Sequence, residues 1–208
     1  MEINFGHEVI PLFSSPLYST NLSDNLDPTE SSTLLNSLEN IKWNKNSENE
    51  ISEEVHWLNT IKDTSLYRMV NYHLNYYFYN VLSATPAAKI YITESWVNKT
   101  SPGGKHHRHR HPNSIISGVY YFNTNEKTGN IVFSTHKYST VEYETATPNI
   151  YNSKIWSLRP RANTLLLFPS DLEHTVTKNE SDAPRYSLSF NTFLSGSISK
   201  SVLAALEI

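Results

Sequence analysis

From Ala88 onward the apolar residues of this chain recur with a period of two, and that limits its fold more than any other feature. Seven short segments, at 89–98, 115–123, 130–134, 155–158, 164–168, 175–178 and 185–194, are rich in β-branched and aromatic residues. Clusters of Gly, Pro, Asn and Ser separate them. Successive side chains of a strand point to opposite faces, so each segment offers one face to a core. Seven such strands predict a β-sandwich or small barrel, with jelly-roll closure favoured.

The part before Ala88 is different. Residues 9–18 (VIPLFSSPLY) read as an early strand, confined to an edge by Pro11 and Pro16. Asp27, Pro28 and Glu30 supply a cap, a first-turn proline and an acid three residues on, and Leu34, Leu35, Leu38 and Ile41 follow at helical spacing. A helix over 28–41 is expected, then a polar surface loop over 42–54. A second helix begins at Asp63, with an apolar stripe of Leu66, Met69, Val70, His73, Leu74, Tyr77 and Val81, and ends at Thr85-Pro86. The expected architecture is one mainly β domain over 1–208. It comprises an N-terminal strand and helical buttress (1–87), a β core (88–194) and a C-terminal tail (195–208). The longest linker within the β region, 135–154, carries Tyr138, Tyr143 and Tyr151, a candidate substrate lid.

A net charge of −3 gives no reason to expect nucleic acid or an anionic membrane as the main partner. The absence of cysteine removes disulfides and thiolate ligands, so any metal must sit on nitrogen and oxygen. The start, MEINFGHEVIPLF, lacks a signal-peptide pattern and no apolar run approaches bilayer length. A soluble, cytoplasmic protein is therefore expected.

Four of the nine histidines, His106, His107, His109 and His111, fall within six residues just before a strand. On an extended chain residues two apart face the same way, so His109 and His111 point into one cavity; His107 shares their parity and His106 does not. A third ligand is expected from a distant strand, and His174 follows the buried-looking segment Leu165 to Ser170. Without His174 the tract, interleaved with Lys105, Arg108 and Arg110, would read as a solvated basic loop. His73 lies on the helix stripe and reads as a core residue, and His136 is a weaker candidate near a strand end. Eleven residues beyond His174, Arg185 and Ser187 share a strand face, a guanidinium beside a hydroxyl suited to a carboxylate.

These motifs together resemble the iron(II)- and 2-oxoglutarate-dependent oxygenases, in particular a prolyl-hydroxylase-related branch of phages and marine bacteria. The matching residues are Trp96 and Asn98; His109-x-His111-Pro112-Asn113-Ser114; Ser117-Gly118-Val119-Tyr120-Tyr121; Leu167-Phe168-Pro169-Ser170; His174-x-Val176; and Arg185-x-Ser187-x-Ser189-Phe190-Asn191. The likeness spans about residues 91–192.

It implies a double-stranded β-helix, a cupin-like jelly roll, with Fe(II) on His109, His111 and His174. It also implies 2-oxoglutarate as co-substrate, with its distal carboxylate on Arg185 and Ser187, and O2 as oxidant. Tyr121 and Asn98 become candidates for lining the co-substrate pocket. The implied reaction is hydroxylation of an unknown primary substrate (a peptide, nucleobase or small molecule) with release of succinate and CO2. A homodimer is one option for assembly.

One departure stands out: His111 occupies the place where the family usually has Asp or Glu. Three neutral imidazoles leave the ion at formal +2 and favour anionic ligands and other nitrogen-loving metals. Asp171 and Glu173 are the nearby acids, but Glu173 adjoins His174 and is expected to face away, and Asp171 reads as a turn residue. Two other functions fit the histidines: a cupin-type three-histidine metalloenzyme that does not use 2-oxoglutarate, and a non-catalytic metal-binding module.

Overall fold

The computed structural model describes residues 9–135, 141, 143–199 and 206–208. Helix α1 (Pro28–Ser37) is capped by Asp27, whose Oδ1 accepts the N–H groups of Thr29 and Glu30 at 2.8 and 3.0 Å. Glu30 does not turn back to close the cap. Its carboxylate accepts the backbone N–H groups of Ser65 and Leu66 at the start of α2 (Ser65–Tyr76), tying the two helix starts together. After Tyr76 the helix widens into a π turn over Tyr77–Val81 before it stops.

The strands form two antiparallel sheets. The larger contains β1 (Tyr18–Asn21), β2 (Trp43–Asn46), β3 (Asn49–Ser52), β4 (Ala88–Thr100), β6 (Ile116–Tyr121), β9 (Thr164–Pro169) and β11 (Arg185–Ser199). Their spatial order is β1-β9-β6-β11-β4-β3-β2, and β12 (Leu206–Glu207) lies along the end of β11. The smaller has the order β5-β10-β7-β8, made of β5 (His106–His109), β7 (Ile131–Ser134), β8 (Ile155–Leu158) and β10 (Glu173–Val176). The chain crosses repeatedly from one sheet to the other, as a double-stranded β-helix requires.

Register sorts the residues of the larger sheet into two faces. Val97, Leu188, Tyr120 and Leu165 stand side by side across β4, β11, β6 and β9. They join the main core with Leu38, Leu66, Val70, Leu74 and Tyr77 from the helical side. One residue out of phase, Trp96, Ser189, Val119 and Leu166 form a row on the opposite face, next to Asn98, Ser187 and Tyr121. Here Val119, Tyr121, Leu166 and Phe168 pack on Ile131 and Phe133 of the smaller sheet. A β-sheet alternates its faces residue by residue, so the same strands floor the site and roof the helical core.

Several expectations are corrected. Residues 9–17 form no strand; pairing begins at Tyr18, past both prolines, whose missing N–H groups break a ladder. The 42–54 stretch is a hairpin, β2 and β3, that extends the larger sheet beside β4. Its Asn- and Glu-rich sequence concealed this because one side of an edge hairpin faces water. The expected tail from 195 continues β11 to Ser199.

At the centre of the larger sheet Gly118 lies opposite Phe190 and Leu167. A Cβ at Gly118 would come 2.1 Å from Cζ of Phe190, so the ring occupies the space a side chain would need. Gly118→Ala is expected to lower unfolding free energy by about 1–3 kcal/mol through overpacking, read as a fall in the urea midpoint with unchanged slope.

Candidate metal and co-substrate site

Between the two sheets lies a cavity lined by side chains of both. Its wall on the smaller sheet carries His109 and His174, which are direct cross-strand partners on β5 and β10. His111 follows two residues past the end of β5 and is held by its backbone N–H, which donates to Ser170 O at 3.0 Å. The three rings converge: one ligand nitrogen from each of His109, His111 and His174 can be chosen so that all lie within 4.8 Å of one another. Small rotations would close such a set on an ion with N–metal bonds of about 2.1 Å.

Tautomer and protonation suit the same role. Nδ1–H of His109 donates to His107 O at 2.9 Å, and Nδ1–H of His174 donates to Leu172 O at 3.0 Å. Each bond leaves Nε2 with its lone pair for an ion. Burial, reinforced by the neighbouring rings, pushes His174 down to about 3 and His111 down to about 4; burial lowers His109 as well. The imidazoles are therefore neutral near pH 7, the form a metal requires.

The structure reverses the expected parity of the first two histidines. His106 lines the cavity and is pushed down to about 3, chiefly by burial and then by the nearby rings, while His107 is exposed. The cause is a bulge: His174 pairs with His109 but Val176 pairs with His106, so two steps on β10 match three on β5. Neither nearby acid joins the triad. Glu173 forms ion pairs with Arg108 and Arg110 at 3.3 and 3.5 Å, and Asp171 is exposed.

The larger sheet forms the other wall, and on it lies Arg185, only 2% exposed. Its Nη1–H donates to Thr128 O at 3.1 Å and its Nη2–H to Thr100 Oγ1 at 3.0 Å. The Tyr121 ring lies 5.7 Å from its Cζ. Its Nε has no partner, and no carboxylate among the described residues pairs with it. A buried guanidinium without a counter-charge is costly, and an incoming anion would relieve that cost.

Ser187, Tyr121 and Asn98 line the same cavity, as expected from sequence, with Tyr121 fully enclosed and its hydroxyl pushed up by burial to about 12. The side-chain amide of Asn98 is already engaged between Asn49 and Ser189. Sequence reading missed Asn49, Thr100, His106, Ile131 and Phe168 as lining residues. Asn49 was hidden in a presumed loop, whereas the alternation of β4 would have pointed to Thr100 two residues beyond Asn98. Of the candidate lid, Tyr143 and Tyr151 are exposed and do not line the cavity, and Tyr138 and His136 lie outside the described residues.

Comparison with known proteins agrees with this geometry. Residues 94–191 match a family described as "Putative 2OG-Fe(II) oxygenase". No curated protein matches significantly. Among solved structures, an oxidoreductase of the 2OG-Fe(II) oxygenase family from Burkholderia pseudomallei has a TM-score of 0.59 at 12% identity, covering 85% of this chain and 83% of its own. HygX from Streptomyces hygroscopicus, solved with nickel, 2-oxoglutarate and hygromycin B, has a TM-score of 0.57 at 8% identity over 86% and 82%. A Trichoplax adhaerens prolyl hydroxylase in complex with a hypoxia-inducible-factor peptide has 0.57 at 16% over 85% and 83%. At such identities these structures speak for the fold, and the match over 94–191 carries the family. The resemblance to the iron(II)- and 2-oxoglutarate-dependent oxygenases thus extends over residues 94–191. Members of that class are oxidoreductases that use Fe(II), 2-oxoglutarate and O2. No helix among the described residues is long and apolar enough to cross a membrane.

The depressed imidazoles have a signed consequence. Their folded values lie below the unfolded value of about 6.5, so their stabilising contribution is complete above that pH and is lost as pH falls toward 4 and 3. In metal-free protein the unfolding free energy, followed through the urea midpoint, is expected to fall between pH 6.5 and 5, by up to about 1.4 kcal/mol per pH unit for each such group. His174→Gln should make that dependence shallower.

Proposed function

We propose that this chain is an iron(II)- and 2-oxoglutarate-dependent oxygenase that hydroxylates a C–H bond of an organic substrate, with His109, His111 and His174 holding the iron and Arg185 receiving the distal carboxylate of 2-oxoglutarate. The observation that carries this reading is a buried, unpaired guanidinium sharing one cavity with three convergent neutral imidazoles. The donor set fits the ion: all three ligands are nitrogen, and carbonyls orient two of them. The other wall fits the co-substrate, because Arg185 has a free Nε–H and is held rigidly through both Nη atoms.

When bound, iron would let O2 act as the oxidant: one oxygen atom would oxidise 2-oxoglutarate to succinate and CO2, and the other would be left for the substrate C–H bond. The chain's own residues do the rest. Arg185 neutralises the co-substrate's far end, and the Tyr121 ring keeps that end dry and orders the guanidinium. Ser187, 4% exposed beside them, offers a hydroxyl to the same carboxylate. Phe168 and Phe133 pack against the His174 ring at centroid distances of 4.9 and 5.8 Å and exclude water from that side. His111 is positioned less by its ring than by its backbone bond to Ser170. Trp96, with its ring 5.9 Å from His111, shapes the same wall. A three-histidine metalloenzyme that ignores 2-oxoglutarate would leave Arg185 without a counter-charge, which is why it is the weaker reading.

The direct test is succinate release from 2-oxoglutarate with Fe(II) and ascorbate, in the absence of a primary substrate. Slow uncoupled turnover is expected from the unmodified protein. His174→Ala should abolish it, and Arg185→Met should raise KM for 2-oxoglutarate by about a hundredfold, the loss of a charge-assisted contact. Succinate formation undiminished by Arg185→Met would sink the assignment of that residue.

A further inference from the structure

Two buried side-chain atoms in residues that line the cavity have no partner. One is Arg185 Nε and the other is Oδ1 of Asn49. Asn49 is 5% exposed, although its hairpin is polar and mostly at the surface. A buried amide left unpaired is rare enough in a folded protein to call for a reason.

The sheet register supplies one. β3 pairs with β4 as Ile51 with Asn98 and Glu50 with Lys99. Continuing that antiparallel register sets Asn49 beside Thr100, and Thr100 is the cross-strand partner of Arg185. Asn49, Thr100 and Arg185 thus form a row across three strands, on the face turned to the cavity.

The bonds behind Asn49 show how it can change what it offers. Its Nδ2 donates to Asn98 Oδ1 at 3.4 Å, and Asn98 Nδ2 donates to Ser189 Oγ at 2.9 Å. A serine hydroxyl donates as readily as it accepts. Turning both amides over therefore keeps both bonds: Ser189 donates to Asn98, Asn98 donates to Asn49, and the free atom of Asn49 becomes an N–H donor.

We propose that Asn49 is a further co-substrate-binding residue, whose amide N–H, presented to the cavity from the same row as Arg185 by the joint turn of Asn49 and Asn98, donates to the distal carboxylate of 2-oxoglutarate. This rests on the reading that places that carboxylate at Arg185. It assigns the β2–β3 hairpin, which lies outside the 94–191 family match, a part in binding.

The test is calorimetric titration of the Fe(II)-loaded protein without oxygen. The ligands are 2-oxoglutarate and 2-oxobutyrate, which keeps the 2-oxo acid end and lacks the distal carboxylate. Asn49→Ala should weaken 2-oxoglutarate about tenfold and leave 2-oxobutyrate unchanged. Asn49→Asp, which places a negative charge against the carboxylate, should weaken 2-oxoglutarate by more than about a hundredfold. If Asn49→Ala does not fold, Asn49→Ser carries the same comparison. Unchanged 2-oxoglutarate affinity, or equal losses for both ligands, would overturn the proposal while leaving the role of Arg185 standing. Failure of the unmodified protein to bind 2-oxoglutarate would overturn both.

Discussion

The ladder between β4 and β11 is the constraint on which the rest of this molecule depends. Twelve residue pairs run from Arg185 opposite Thr100 to Gly196 opposite Ala88. Because the pleat alternates, that one register assigns every side chain of both strands to either the helical core or the cavity. A slip of one residue would turn Arg185 and Ser187 toward the helical core and bring Leu188 into the site. A bulge between Asn191 and Thr192 changes the phase beyond the site, so the ladder's far half follows its own alternation.

The second constraint is electrostatic. A buried guanidinium and four cavity-lining imidazoles make an interior with potential positive charge and no described carboxylate among its lining residues. The imidazoles avoid the problem by staying neutral, which burial enforces. Arginine cannot escape in that way, since its ordinary proton affinity is far too high. It holds its charge through hydrogen bonds to Thr128 and Thr100 and through the face of Tyr121. A site arranged in this manner favours an anion at one end and a nitrogen-loving cation at the other, which is the requirement of 2-oxoglutarate and iron. Glu173, the acid closest in sequence to His174, is kept out by Arg108 and Arg110 on the rim.

Much of this was legible before any coordinates. The period of two located seven strands because half-buried strands must alternate, and Asp27 marked a helix start because its carboxylate has unpaired N–H groups to satisfy. His109, His111, His174, Arg185, Ser187 and Tyr121 were all recognisable as residues of one chemistry, and the cavity brings them together. The errors came where local pattern and tertiary pairing disagree. Parity favoured His107 over His106, and a single unmatched residue in β5 inverted the choice. Asn49 looked like loop because polar residues at a sheet edge carry no hydrophobic alternation.

The amino-acid sequence alone determined the strand periodicity, the helix caps and the residue types able to bind a metal and an anion, since each depends on neighbours a few positions apart. Only the tertiary structure decided which imidazoles face inward, that Arg185 is buried without a counter-charge, and that Asn49 stands in the same row across the sheet. Those outcomes depend on cross-strand register and bulges, which bring together residues as distant as Asn49 and Arg185, and no local pattern encodes such pairings.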